Sequence, residues 1–409
     1  MKILRNSMII TILGALLLGP TFAFAADGPD RYFIKTKGAF WKNSFGVRHN
    51  FSDGFTADLS DWQVRVGKMF GLEIEPVKFL FVLPVSPDQF NALAQESGNV
   101  IKGKKTGIRV LPFDQTPWGI ETVYQDSTIE KTKGGKDIKI AVLDTGVTVT
   151  HPDLKARVKE CKDFTNLRFS IVDGKCEDKN GHGTHVAGII AADGGADGLG
   201  IYGIAPEVSL LAYRVCSISG SCYSDDVATA LKVAADNGAN IVNLSLGSDS
   251  SSSLIQEGVN YAVSKGVLII AAAGNDGPYF DSIDYPAAYE TVVGVGAFDT
   301  LASVSGWSSR GINSTTNPYI KEARDIEFAM PGVNIESTWN NGGYAILSGT
   351  SMASPHLAGL AAKYWQSTAD KPADATRLLL RAYSEDINLP GDDNSSGWGF
   401  PKVLVPVTP

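Results

Sequence analysis

From residue 138 onward, apolar runs alternate with segments of helical period. Residues 138–143, 210–215, 241–246, 267–273 and 292–297 are runs with few polar interruptions, the pattern of strands buried on both faces. Between them, 225–237 and 254–264 carry apolar residues at helical spacing, and a glycine at 238 or 266 stops each one. Strands alternating with helices predict an α/β fold: a parallel central sheet with helices on both faces.

The N-terminal pattern differs. Residues 31–98 alternate extended apolar runs, such as 77–85, with a helical stretch at 87–95, enough for a small α+β domain without recognisable chemistry. The polar stretch 98–105, with Lys102, Lys104 and Lys105, reads as an exposed linker open to proteases. At the very start, Lys2 and Arg5 precede an apolar run at 8–18, and Ala23-Phe24-Ala25 supplies a small-x-small cleavage site, which together read as a secretory signal peptide. Gly19-Pro20 interrupts that run well short of the about 20 apolar residues that span a bilayer. No later run approaches that length, so the expected product is soluble and secreted.

Composition narrows the classes. With 44% hydrophobic residues and 36 Lys+Arg against 44 Asp+Glu, the chain is neither disordered, collagenous nor a coiled coil. The charge is divided unevenly: 12 basic and 9 acidic residues fall in 26–110, a net of +3, and 22 basic and 35 acidic in 111–409, a net of −13. An acidic domain of this kind repels nucleic acid and anionic membranes and has carboxylates to offer hard cations such as calcium, although most acidic surface residues simply confer solubility. The four cysteines, Cys161, Cys176, Cys216 and Cys222, all lie in the acidic part, and an even number in an exported chain favours disulfides over metal ligands. Of three possible pairings, Cys161 with Cys176 and Cys216 with Cys222 is preferred, because each pair brackets a short polar stretch that a crosslink braces, for ~2 to 3 kcal/mol each.

In an open parallel sheet, reactive groups collect where strands end at the carboxyl edge. Asp144 follows the run 140–143 and precedes Thr145-Gly146; Asn275 ends the run 269–274. His182 lies in Asn180-Gly181-His182-Gly183-Thr184-His185, before an apolar helical stretch, and Ser351 lies in Gly349-Thr350-Ser351-Met352-Ala353-Ser354-Pro355, where small residues open a helix. Singly, each has an ordinary reading as a turn residue or a helix cap. His185, three residues after His182, reads as structural, and no acidic or cysteine partner at ligand spacing suggests zinc. Together the four residues supply a carboxylate to orient an imidazole, an imidazole to deprotonate a hydroxyl, and amide donors for an oxyanion.

In that combination, Asp144-Thr145-Gly146, His182-Gly183-Thr184-His185 and Gly349 to Pro355 resemble the three signature blocks of the subtilisin-like serine proteases, in that family's Asp, His, Ser order. The likeness runs from about Gln115-Thr116-Pro117-Trp118-Gly119-Ile120 to about Phe400, and the paired cysteines and the loop 193–202 resemble the secreted sphericase and cold-adapted bacillary subtilisins more than the best-known cysteine-free ones. The resemblance implies an acyl-enzyme mechanism with Ser351 as nucleophile, His182 as base, Asp144 orienting it, and Asn275 with the Ser351 backbone N–H binding the oxyanion. It implies structural calcium, with Asp153 matching a family ligand; Asp193 and Asp197, in the loop, are added from oxygen-ligand chemistry. It also implies a cleft formed by Ser245-Leu246-Gly247 and Ala272-Ala273-Gly274 that binds substrate backbone as an added strand, with small walls suited to apolar or aromatic P1 residues. A pocket for basic residues needs a carboxylate at its base, for which Asp249 is the nearest candidate.

The expectation is a secreted, monomeric serine endopeptidase of protein and peptide substrates, with a signal peptide over 1–25, a propeptide acting as intramolecular inhibitor and folding aid over 26–110, and a peptidase domain over 111–409. The alternatives are a selective processing protease and a catalytically silent, secreted calcium-binding module.

Overall fold

The computed structural model describes residues 30–83, 109–314 and 322–404. The signal peptide, the helix at 87–95 and the linker at 98–105 lie outside the described residues. The chain divides into two compact units, Met1–Lys78 and Phe79–Pro409.

In the first unit, β1 (Asp30–Ile34), β2 (His49–Asn50), β3 (Phe55–Leu59) and β4 (Ile74–Pro76) form an antiparallel sheet in the order β2-β3-β1-β4. Two helices accompany it, α1 (Ala39–Phe45) and α2 (Asp61–Met69). Ser60 begins α2 with a capping box, its hydroxyl accepting from Gln63 N while the Gln63 side chain reaches back to Ser60 N. Ile34, Phe45, Phe55, Ala57, Leu59 and Ile74 make a small core of their own.

The second unit opens with β5 (Phe79–Val82) and α3 (Trp118–Tyr124), and continues with β6 (Lys139–Asp144), β7 (Val158–Asp163), β8 (Val172–Asp173), α4 (His182–Ala191), β9 (Ser209–Arg214), β10 (Ser221–Tyr223), α5 (Ser224–Asp236), β11 (Ile241–Leu244), β12 (Leu246–Gly247), α6 (Ser253–Ser264), β13 (Leu268–Ala272), β14 (Val293–Phe298) and β15 (Phe328–Pro331). A hairpin of β16 (Ile335–Thr338) and β17 (Tyr344–Leu347) leads to α7 (Thr350–Lys363) and α8 (Pro372–Ala382), and the short β18 (Ser384–Glu385) and β19 (Phe400–Pro401) pair near the end. Eight strands form the central sheet in the order β15-β14-β13-β11-β6-β9-β7-β8, parallel throughout except for β8 at the edge. Every residue of β11, β13, β14 and β15 is buried, as continuous apolar runs require. Helices pack as two pairs, α5 with α6 and α4 with α7.

Residues 350–362 of α7 are all buried, so this helix runs through the core instead of lying on it. Gly188 lets α4 approach the β16 hairpin: a Cβ there would lie 2.3 Å from both Ser337 Oγ and Thr338 Oγ1. Disulfides join Cys161 to Cys176 and Cys216 to Cys222. Among the described residues, no helix is long and apolar enough to cross a membrane.

Candidate active site

The carboxyl ends of the parallel strands open on one edge of the sheet, and the reactive residues meet there. Asp144 is the last residue of β6 and is fully buried; its Oδ1 accepts from Thr145 N at 2.7 Å and lies 2.8 Å from Nδ1 of His182, the first residue of α4. A carboxylate can only accept from that ring nitrogen, so Nδ1 carries the proton and Nε2 keeps its lone pair. Nε2 has no hydrogen-bond partner. Gly183 permits the approach: a Cβ on it would lie 2.1 Å from Gly146 O and 3.0 Å from Asp144 Cβ.

Buried Asp178 ties the two segments together. Its Oδ1 accepts from Asn180 N, Gly181 N and Thr145 Oγ1, and its Oδ2 from Thr184 N and Thr184 Oγ1, at 2.6–3.0 Å. Sequence reading passed over this aspartate, since it belongs to none of the three blocks.

Ser351 stands second in α7, where backbone N–H groups have no partner within the helix. Its Oγ donates to Ser245 O at 3.0 Å and accepts from Leu83 N at 3.2 Å. Ser245 fastens the end of β11 to this helix, its hydroxyl donating to Ser351 O at 2.9 Å and lying 2.9 Å from Ser354 Oγ. Asn275 is oriented by Thr350, whose backbone N–H and hydroxyl both donate to Oδ1, at 3.0 and 3.1 Å. With Oδ1 committed to donors, the amide must present Nδ2–H to the cleft, and there it donates to Leu83 O at 2.6 Å.

The cleft is filled by the chain itself. Strand β5 lies between β10 and β12, antiparallel to both, pairing Cys222 with Leu80 and Leu246 with Val82. Leu80 is buried while Phe81 is 53% exposed, the alternation of an extended peptide with side-chain pockets on one face. Leu83 ends this segment with its N–H facing Ser245 O at 3.4 Å and its carbonyl on Asn275. Of the predicted cleft residues, Ser245, Leu246 and Gly247 lie along this segment, while Ala272 ends β13 and Ala273-Gly274 lead from it to Asn275, with Gly274 N donating to Thr350 Oγ1. Leu83 Cδ1 lies 3.0 Å from the point a Cβ on Gly247 would occupy, so glycine leaves the room that the leucine uses.

Asp284, absent from the sequence reading, lies at the back of this pocket and is 2% exposed. Burial, then the charges of Asp276 and Asp249, push its carboxyl up to about 8.

The second histidine of the His182 block is structural in its contacts: His185 is buried, with Nε2 3.1 Å from Ile335 O and from Ala345 O. The predicted calcium residues sit elsewhere, around loop 193–202. Asp153 is buried, with Oδ2 accepting from Ile201 N and Tyr344 OH, both at 2.9 Å, and Oδ1 without a partner. A Cβ on Gly195 would lie 3.0 Å from Asp153 Oδ1 and 3.4 Å from Asp197 Oδ1, so these carboxylates face one hollow. Asp193 turns to Arg157, at 3.0 Å.

The profile of the Subtilase family, peptidase class S8, matches residues 135–399, which contain all four reactive residues. The chain belongs to this family. Among relatives, this subtilase is 42% identical over 407 residues to a subtilisin of Bacillus sp. (strain TA39), covering 93% of this chain and 92% of that one, and 38% identical over 354 residues to the M-protease of Shouchella clausii (strain KSM-K16), covering 85% and 86%. Among solved structures it resembles sphericase, with a TM-score of 0.69, 46% identity, and coverage of 71% of this chain and 99% of that one. The S41 psychrophilic protease matches with a TM-score of 0.68 at the same identity and coverage. As a subtilase it is a serine endopeptidase, which sets aside the silent binding module.

Two buried histidines of this subtilase carry a pH consequence. Burial lowers His185 to about 3 and His356, whose Nδ1 lies 2.7 Å from Met352 O, to about 4. Both are neutral in the folded state, so their contribution is complete above the ordinary value near 6.5. It is lost as pH falls below 6.5, because the unfolded chain binds protons first, by up to about 1.4 kcal/mol per pH unit for each histidine. With the active site blocked, the melting temperature of His356→Asn should fall less steeply between pH 6.5 and 4 than that of the parent. Parallel slopes would refute the assignment.

Proposed function

We propose that this chain is a secreted precursor whose peptidase domain cleaves after apolar residues through Ser351, and that the segment before it inhibits by lying in the cleft as a substrate. The observation that carries this reading is the placement of Leu83, with its carbonyl oxygen on Asn275 Nδ2 and its N–H between Ser351 Oγ and Ser245 O. That is the position of a P1 residue.

From there the chemistry follows. His182 Nε2 takes the Ser351 hydroxyl proton as Oγ bonds to the carbonyl carbon. The π electrons move onto oxygen, where Asn275 Nδ2–H and the Ser351 backbone N–H stabilise them. The imidazolium, held by Asp144, then gives its proton to the departing amine, leaving an acyl-enzyme that water cleaves by the same steps in reverse. Ser351→Ala should abolish peptide hydrolysis and reaction with a fluorophosphonate probe. Asn275→Ala should lower kcat by about 10²- to 10³-fold with little change in KM, the range known for the corresponding donor of subtilisin itself. Near-normal turnover in either folded variant would sink the assignment.

The preference for apolar P1 rests on Leu83 against Gly247, and it separates this reading from a selective processing protease, for which peptides with basic P1 would be the better substrates. On this reading the propeptide ends at about Val110, after the lysine-bearing stretch 98–105 and ahead of Gln115-Thr116-Pro117-Trp118-Gly119-Ile120. Residues 26–110 added in trans should inhibit the mature enzyme, less so at high salt, where the +3 and −13 charges are screened. Leu83→Asp should weaken that inhibition by about 10- to 100-fold, the worth of burying a leucine. Full activity with excess propeptide at low salt would count against the reading, as would normal maturation of Ser351→Ala in a protease-free host.

Calcium is proposed at the loop 193–202. The partnerless Asp153 Oδ1 facing Asp197 fits a hard cation, with the carbonyls of Gly198 and Gly200, both now bonded to the Gln115 amide, as further oxygen donors. Asp193, engaged by Arg157, positions the loop from outside it. Bound calcium would brace the loop and takes no part in the reaction. At 100-fold over its Kd, calcium should stabilise the blocked enzyme by about 2.7 kcal/mol, read as a rise in melting temperature, and Asp153→Asn should lose most of this. A melting temperature indifferent to calcium would refute it.

A further inference from the structure

Loop 216–222 touches both the groove and the catalytic pair. Where it begins, Val215 N and Cys216 N donate to Asp144 O at 2.8 and 3.1 Å. At its tip, Ile218 O accepts from Asn180 Nδ2 at 2.8 Å, and the Oδ1 of the same asparagine accepts from His182 N at 3.1 Å. Where it ends, Gly220 O accepts from Val82 N at 3.0 Å, and β10 pairs Cys222 with Leu80. One short stretch of backbone is therefore bonded to the strand that ends in Asp144, to the turn that precedes His182 and to the peptide segment in the cleft.

Packing does not give this stretch its shape. It reads Cys-Ser-Ile-Ser-Gly-Ser-Cys, and its one large apolar side chain, Ile218, is 60% exposed. Gly220 lies in the left-handed region at φ 84°, and a Cβ there would lie 2.7 Å from Val82 Cγ2, so no side chain at this turn can fasten it. Across the loop, Ser217 N donates to Ser221 O at 2.8 Å and Gly220 N to Ser217 O at 3.0 Å. A small polar loop held so lightly gives up much conformational entropy when it is ordered. The disulfide between Cys216 and Cys222, fully buried and six residues apart in sequence, closes it. A ring this short constrains the unfolded chain less than a long one does, so its larger effect is local.

We propose that the Cys216–Cys222 disulfide couples the substrate groove to the catalytic pair. It makes the rim that registers a peptide and the turn that aims His182 one rigid frame, so that pairing with β10 delivers the scissile bond in line with the imidazole. The disulfide and Asn180 are positioning elements, and neither touches the reacting atoms. The proposal rests on the reading of β5 as a strand lying where a substrate lies.

The test compares kcat/KM for two substrates of the mature enzyme obtained from the full chain. Acetyl-Leu-Phe-Val-Leu p-nitroanilide carries residues 80–83 and reaches β10; acetyl-Leu p-nitroanilide stops at P1. Their ratio cancels any enzyme lost to unfolding. Cys216→Ser combined with Cys222→Ser should lower the long-to-short ratio by about tenfold or more, with KM for the long peptide raised, because the peptide must then order the loop itself. Asn180→Ala, at a half-buried position, leaves the disulfide in place and serves should the double variant fail to fold. It should lower the same ratio by about three- to tenfold through kcat, with KM for the long peptide held within about twofold, a split that general destabilisation does not produce. A parent that cleaves both substrates equally well would overturn the reading of β5 and the coupling with it. A parental preference that survives whole in the folded double variant would overturn the role of the disulfide and leave the reading of the cleft standing. A ratio in Asn180→Ala equal to the parent's would overturn the link to His182.

Discussion

The arrangement depends on one constraint: strands running in the same direction release their carboxyl ends at the same edge. Asp144 ends β6, Ser245 follows β11, Asn275 follows β13, and these strands are neighbours in the order β13-β11-β6. Residues far apart in sequence are thereby brought within hydrogen-bond reach without any one loop having to span the distance. Helix α7 completes the site by entering through the core, which fixes its N-terminus against the same edge. Thr350 couples the two by holding the Asn275 carbonyl, so that sheet and helix together set the direction of the Asn275 amide. Preorganisation of this sort is what allows a single amide to contribute strongly to catalysis.

The same edge that assembles catalytic groups also leaves unpaired backbone. Strands β10 and β12 stand apart by the width of one strand, and β5 fills the space. Any extended peptide can do so, because main-chain hydrogen bonds are indifferent to sequence. Selectivity then falls to the alternating side-chain pockets and to the last residue, Leu83. The disulfide between Cys216 and Cys222 lies at the base of β10 and holds one rim of this groove. A groove that accepts any strand accepts the chain's own, and β5 is the strand that occupies it.

Sequence made some of this legible and hid the rest for identifiable reasons. Strands β6, β9, β11, β13 and β14 announced themselves because burial on both faces leaves no polar interruption. Strand β15 is a four-residue run ending in Pro331, and β7 is an edge strand reading Val-Lys-Glu-Cys-Lys-Asp, so neither carries that signal. The four reactive residues were readable from their flanking glycines and small side chains, which the close approach of backbones requires. Leu83 was not: its role comes from where β5 lies, and an apolar run says nothing of which groove it occupies. Asp178 and Asp284 were hidden similarly, since one aspartate in a polar loop resembles another until the donors around it are counted.

That count distinguishes the buried carboxylates by purpose. Asp178 receives five donors and needs nothing more; it is a structural tie. Asp144 has Thr145 N and the imidazole on one oxygen and no partner on the other. Asp153 is satisfied on one oxygen by a backbone N–H and a tyrosine and faces a hollow with the other. Asp284 meets other carboxylates. Along this series the donors that the protein itself supplies fall away, from five at Asp178 to none on Asp284 Oδ1. The large negative charge of residues 111–409 is thus not uniform in meaning: what a carboxylate does here follows from how many donors the fold has already given it.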